Sequence, residues 1–442
     1  MGILKKALNM LEKHPLCDHC LGRQFALLGH GIENDERGKA IKLVLTFKAH
    51  VTAAKNKDSV KALKVLALNG FSKPALQLLQ KMKKRVPKKS LAHCFLCEDK
   101  FGNIGATVKQ ALTLLAAYEY TTFLVGIELP TEVEEREDEF KATFEVNHGE
   151  NLRNEFGRLI GKKIAEANGK SVDFLKPEIV VLVNPYVETV KLQVNPLFAS
   201  GRYRKLVRDI PQSKWFCSSC RGKGCKKCGW TGKMYPESVE EIIGKPFLDA
   251  TGGEESSFHA SGREDIDARM LGTGRPFVIE IAKPKKRFLN LEELRAAVNA
   301  FGKGKVQVSK LRFADRDRVR YLKKGESTQK EYRVLIEFEK KITAKDLHML
   351  KEKLTNLKIS QRTPIRVMHR RADLTREKYI YDVNVKKLKP KKAEMKIRCQ
   401  GGLYVKELVT GDEGRTTPNV SEILKNKAKP IKLDVLNVIM GD

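Results

Sequence analysis

Eight of the nine cysteines stand in four Cys-x-x-Cys pairs: Cys17 with Cys20, Cys94 with Cys97, Cys217 with Cys220, and Cys225 with Cys228. Paired thiols at this spacing point to metal before disulfide, because two sulfurs three residues apart can reach one tetrahedral centre. The last two pairs fall close together, with Gly222, Gly224, Gly229 and Gly232 supplying tight turns. They are expected to close a four-cysteine knuckle over residues 213–234. The first two pairs are separated by 73 intervening residues and make one site only if that chain folds back on itself. Apolar residues recur there at helical spacing, in Leu63 to Leu68 and Leu76 to Met82, before the basic run Lys81 to Lys89. The expectation is a helical subdomain over 1–100 stapled by Cys17, Cys20, Cys94 and Cys97. Four thiolates leave no open coordination position, so both clusters are expected to hold structural zinc, about two ions in all, and not a catalytic metal. Cys399 stands alone and reads as a core cysteine.

A chain of 442 residues is too long for one ordinary domain. Past Phe101 a helical stretch, Ala106 to Tyr118, leads to the strand-like Thr121 to Leu129 and an acidic insertion, Thr131 to Phe140. A second helix, Asn151 to Ala167, and the β-rich Glu178 to Leu197 complete an α/β module over 101–212. From 235 to 442 short β-rich runs alternate with helices: strands Phe277 to Ala282, Lys305 to Phe313 and Tyr332 to Phe338, and helices Leu291 to Ala300 and Ala344 to Leu354. The fold class is therefore α+β multidomain, with an antiparallel α+β final domain.

Lys and Arg outnumber Asp and Glu by 85 to 54, for a formal net charge of +31. Such a surface calls for a polyanionic partner. No apolar run of about 18 residues occurs, and Met1 to Lys13 lacks the features of a secretory signal, so no membrane association and a cytoplasmic location are expected. Basic clusters at Gly201 to Lys205, where Tyr203 is interleaved, at Lys283 to Arg287, Arg366 to Arg371 and Lys386 to Arg398 each read singly as solvated faces. Their recurrence favours a long anionic ligand.

The segment from His259 to Phe277 concentrates carboxylates and guanidinium groups among glycines. Three readings compete: Asp265 and Asp267 as a divalent-metal site, a surface turn, or one carboxylate acting as nucleophile or base and held ionised by neighbouring arginines. Arg263, Arg269 and Arg275 would repel a cation, which disfavours the first.

Gly262-Arg263-Glu264-Asp265 resembles the Gly-Arg-x-Asp motif that carries the catalytic aspartate of pseudouridine synthases. The longer string through Gly274-Arg275-Pro276-Phe277 is similar to the archaeal and eukaryotic pseudouridine synthase ten family, which modifies the tRNA T loop. Gln361 to Arg371 resembles that family's basic strand, Gly402 to Leu408 its third catalytic motif, and Gly411 to Pro418 continues the match. Phe174 to Leu206 resembles the end of a THUMP domain, an RNA-binding module, and the first cysteine set resembles the family's N-terminal zinc site. The resemblance implies Asp265 as the catalytic carboxylate, with Tyr332 stacking on a flipped base. It implies Tyr404 and Leu433 in the substrate pocket and Lys406 paired with the aspartate. It also implies tRNA as substrate, positions 54 and 55 as targets, and no cofactor, small-molecule or metallic, in the reaction. Asp267 lies outside the motif and is expected to hold the loop through Arg263 or Arg269.

Two rivals remain at this point. A non-enzymatic tRNA-binding or chaperone protein would be marked by loss of the Asp265 and Lys406 positions, and both are present. A THUMP-bearing methyltransferase would need a glycine-rich turn opening a helix, and Gly272-Thr273-Gly274 runs into Arg-Pro instead.

Overall fold

In the computed structural model, which describes residues 2–53, 56–85, 93–323 and 328–440, the chain divides into two units, Met1–Asn195 and Pro196–Asp442. The part of the first basic run beyond Arg85 lies outside the described residues. No helix among them is long and apolar enough to cross a membrane.

The first unit opens on helices α1 (Ile3–Lys13), α2 (Asp18–Gly22), α3 (Asn34–Thr52), α4 (Lys57–Leu68) and α5 (Lys73–Lys81). Local chemistry starts them: Asn56 caps α4 and Ser72 caps α5, which has Pro74 in its first turn. Helix α1 buries Ala7, Met10 and Leu11, the stripe that a 3.6-residue period aligns. There follow α6 (Ile104–Leu115), β1 (Thr122–Ile127), α7 (Thr131–Thr143), α8 (Leu152–Asn168), β2 (Ser171–Val172), β3 (Ile179–Asn184) and β4 (Thr189–Val194). The strands form a sheet of order β2-β1-β3-β4, with β1 parallel to both neighbours and β4 antiparallel to β3.

Two expectations change here. The acidic insertion is helix α7, which turns Val133, Glu137 and Phe140 inward at helical spacing beneath its acidic surface. The division at 100/101 also crosses a single core, since one hydrophobic cluster runs from Ala7 to Val190. Buried polar contacts cross it too: Arg23 pairs with Glu137, and Asn34 and His19 hydrogen-bond to Glu155.

The second unit comprises β5 (Leu197–Lys205), α9 (Val239–Thr251), β6 (Glu255–Ala260), β7 (Arg269–Ala282), α10 (Leu291–Phe301), β8 (Val306–Ala314), α11 (Arg316–Lys323), β9 (Gln329–Phe338), α12 (Ala344–Leu354), β10 (Leu357–Arg362), β11 (Thr375–Lys389), β12 (Lys392–Gln400), α13 (Val405–Thr410), β13 (Thr416–Thr417), α14 (Val420–Ile423) and β14 (Ala428–Ile439). Its sheet has the order β13-β10-β11-β12-β9-β14-β7-β5-β8, and β6 pairs with β7 off this path. All these pairs are antiparallel except β7 with β14. That parallel pair joins strands far apart in sequence, as parallel neighbours require.

Strand β5, read from sequence as the tail of the α/β module, pairs with β7 and β8 in this second sheet. The basic cluster Lys386 to Arg398 is the β11–β12 hairpin, in which Lys396 and Arg398 alternate with buried Met395 and Ile397. The basic strand expected over Gln361 to Arg371 ends at Arg362; Pro364 breaks it, and Ile365–Arg370 is a 3-10 turn. Gly272 and Gly274 both have positive φ, and a Cβ there would stand 2.1 Å from the Leu436 carbonyl oxygen and 2.7 Å from that of Tyr203. These glycines let three strands close up and make no cofactor loop.

Candidate active site

The loop between β6 and β7 carries Asp265, and buried side chains fix its backbone. Glu264, 5 % exposed, accepts hydrogen bonds from the Tyr203 hydroxyl at 2.9 Å and from Arg275 Nε at 2.9 Å. Arg275 donates to the Ser261 carbonyl at 2.7 Å, Gln212 to the Gly262 carbonyl at 3.0 Å, and Lys205 to the Ile266 carbonyl at 2.9 Å. Glu264 and Arg275 are both almost wholly removed from water. Breaking such a pair from one side costs about 3–5 kcal/mol, because the remaining charge stays buried. Gly262 adopts φ +77°, and a Cβ there would meet Lys330 Nζ at 2.8 Å. Burial pushes the Lys205 and Lys330 amines down to about 8.

This frame holds Asp265 half-buried on the wall of a cavity of about 540 Å³. Two cations reach it. Arg366 lies 3.3 Å from its carboxylate, and Lys406, in the first turn of α13, also lies at 3.3 Å. Burial alone would raise the pKa of Asp265, but the charges of Arg366 and Lys406 outweigh it and hold the carboxyl below its ordinary value. Arg366 is in turn gripped by buried Glu407 at 2.6 Å. Lys406 is shared, since it also bonds both oxygens of exposed Asp267 at 2.8 Å. Asp267 therefore holds Lys406, and the Arg269 side chain is paired with Asp434 and not with Asp267.

All five residues that the resemblance pointed to outside the cysteines come together here: Asp265, Tyr332, Tyr404, Lys406 and Leu433 line the same cavity. Tyr332 stands half-buried in β9 opposite Val435 of β14, and Leu433 of β14 pairs with Val334, two residues along β9. Tyr404 caps α13 and is not a strand residue; buried Gln361 clamps it, accepting from its N–H at 2.8 Å and donating to its carbonyl at 3.0 Å. The Arg366 guanidinium lies 5.9 Å from the Tyr404 ring centre. Sequence reading passed over Arg366 as one cation among several in a basic run, and Glu264, Arg275 and Gln361 as parts of motifs. Burial singles out Glu264, Arg275 and Gln361, and contact with Asp265 singles out Arg366, whose side chain is partly exposed.

Both cysteine clusters gather their sulfurs within 4.8 Å of one another. In the first, Cys17 and Cys97 are 3.6 Å apart; in the second, Cys217 and Cys225 are 3.9 Å apart and Cys225 and Cys228 3.8 Å. A tetrahedral zinc with bonds of about 2.3 Å sets its sulfurs roughly 3.8 Å apart. Backbone N–H groups of Gly224 and Gly232 also point at sulfurs, at 3.2 Å each, as thiolates require. The residues fit a four-thiolate metal at both places.

Residues 198–439 match the family model described as Pus10, C-terminal, and residues 107–184 match the archaeal Pus10 THUMP domain. The tRNA pseudouridine synthase Pus10 of Methanocaldococcus jannaschii is 44% identical over 440 residues, covering 97% of this chain and 93% of the relative. The protein of the same description from Methanothrix thermoacetophila is 38% identical over 438 residues, covering 99% and 94%. That of Pyrococcus furiosus is 37% identical over 437 residues, covering 99% and 98%. The first family match begins at the start of β5, where the second sheet begins.

Proposed function

The chain belongs to the Pus10 family and is a tRNA pseudouridine synthase, an isomerase, and on that premise we propose that it acts on the tRNA T loop, at positions 54 and 55, with Asp265 as its catalytic carboxylate. The observation that supports this most is the half-buried Asp265 held ionised between Arg366 and Lys406 in a cavity walled by Tyr332, Tyr404 and Leu433. The reaction breaks the C1′–N1 bond of uridine, turns the uracil and joins C1′ to C5; the C5 proton is given up to water and N1 takes one from water, so the product is an isomer of the substrate. No electrons are exchanged with a cofactor. The target uridine leaves its stack at a cost of a few kcal/mol, which stacking on Tyr332, about 1–3 kcal/mol, helps to offset. Whether Asp265 adds to C1′ or takes the C2′ proton, it must be ionised, and Arg366 and Lys406 keep it so. The THUMP domain of the first unit binds the tRNA, and zinc fills both cysteine clusters as a structural ion. Catalysis uses neither zinc nor a small-molecule cofactor, and the protein works in the cytoplasm.

Incubating the purified protein with an unmodified tRNA transcript and mapping pseudouridine tests the reading. Modification confined to positions 54 and 55 is expected, and modification elsewhere with an untouched T loop would refute the target assignment.

Arg366 is proposed as a positioning residue for Asp265. The carboxyl pKa is depressed in the folded site, so the single-turnover rate is flat above it and falls as pH drops through it. Arg366→Gln removes one of the two opposing charges, and the acid limb of the pH–rate profile should move upward. It also unpairs Glu407, at about 2 kcal/mol of stability after allowing for the partial exposure of Arg366. A lower rate with an unmoved acid limb would show that Arg366 is only structural.

A further inference from the structure

The second cysteine knuckle carries more than a metal site requires. Between Lys214 and Met234 there are six cations, Lys214, Arg221, Lys223, Lys226, Lys227 and Lys233, and no carboxylate. Two large aromatic rings point to water from the same segment: Trp230 is 72% exposed and Phe216 56%. Trp230 adopts φ +63°, a left-handed conformation that bulky residues rarely occupy. A residue chosen only to close this turn would be glycine or asparagine. Its backbone is bound into the turn, with Trp230 N–H donating to the Cys225 carbonyl at 2.9 Å, next to Lys226 and Lys227. The Lys214 ammonium lies 5.3 Å from the centre of the Phe216 ring.

The knuckle is also attached to the catalytic loop. Its stem pairs Phe216 with Lys233, and Met234 N–H donates to the Trp215 carbonyl at 2.9 Å. The Trp215 ring lies 4.8 Å below the guanidinium of Arg263, which stands two residues before Asp265 and lines the cavity. RNA seated in the cavity therefore passes close to this stem. Exposed rings set among cations, without carboxylates, suit unpaired nucleotides, whose bases stack on the rings and whose phosphates meet the cations. A protein partner would be expected to use a broader continuous apolar patch.

We propose that the knuckle is a second RNA contact: an unpaired nucleotide of the tRNA substrate stacks on Trp230, with its phosphates against Lys226 and Lys227. The inference rests on the reading of tRNA as substrate. The chain has two tryptophans, so Trp215→Phe leaves Trp230 as the sole reporter. Titrating that variant, made in an Asp265→Asn background to prevent turnover, with unmodified tRNA transcript should quench its emission in step with filter binding. Added salt should reverse the quenching. Trp230→Ala should weaken tRNA binding by roughly fivefold or more, and Trp230→Tyr should restore most of it, both with wild-type metal content. Bound tRNA with unmoved Trp230 emission and unchanged affinity in Trp230→Ala overturns this inference alone. No tRNA binding by the wild-type chain overturns the substrate reading with it.

Discussion

Asp265→Asn is expected to lower pseudouridine formation by roughly a thousandfold or more while leaving tRNA affinity within about twofold of wild type. Asn has nearly the size of Asp, so the loop held by Glu264, Arg275, Gln212 and Lys205 keeps its shape. What is lost is the charge: the amide is neither an anionic nucleophile nor a useful base. Binding is retained because Arg366 and Lys406 remain and one repulsive charge against phosphate is gone. Asp267→Asn should cost less than about tenfold, since Asp267 is exposed and touches the reaction only by sharing Lys406. Tyr332→Ala should fall between them, losing a stack worth about 1–3 kcal/mol. Tritium release from C5-labelled tRNA measures all three, with filter binding as the control. Near wild-type turnover by Asp265→Asn, with its sequence verified after the assay, would sink the assignment of the catalytic carboxylate.

Metal removal should divide the molecule. Cys20, Cys94 and Cys97 are buried in the core that joins α1 to β4, so stripping the first cluster leaves thiolates facing apolar side chains. Structural zinc contributes on the order of 10 kcal/mol in small zinc domains, comparable with the whole stability of an average domain. Cys97→Ser is therefore expected to unfold the first unit early, seen as an added low-temperature transition in calorimetry. Cys228 lies in the more exposed knuckle, whose cluster is not part of the second unit's main cores. Cys228→Ser should lose one metal and leave the main transition within a few degrees of wild type. Metal analysis of the replete protein should give about two zinc ions per chain. Zinc-free protein from a metal-replete preparation, melting identically with and without chelator, would exclude both sites.

Some of this was legible residue by residue. The eight paired cysteines stood out because Cys-x-x-Cys is a local geometry, and they gather into two clusters that could hold a metal ion. Helix Ala344–Leu354 was legible because Thr343 and Asp346 cap its start and Leu350 and Leu354 face one side. Cys399 is buried, and its thiol is pushed up to about 12 by that burial, as a core cysteine should be. The boundary near residue 212 was not legible. Gly201 to Lys205 looks like a basic loop, yet Tyr203 and Lys205 are wholly buried where β5 crosses β7 and β8. A truncation ending at Gln212 would pull that strand out of the catalytic sheet, so an isolated second unit has to begin at Pro196.

The sequence by itself determined the chemistry on offer: a carboxylate in a Gly-Arg-x-Asp loop, two thiolate sets, and a strongly cationic surface for a polyanion. Each follows from spacing within a few residues or from composition, except that joining the first two cysteine pairs into one set depends on the fold. The tertiary structure decided which charges meet. Arg366 reaches Asp265 across 101 positions and Lys406 reaches Asp267 across 139. Those pairings exist because β14 enters the sheet between β9 and β7, bringing their residues to one cavity with the loop and α13. Burial then turned ordinary residues into functional ones, since a charge acts strongly on its neighbour only where water is excluded.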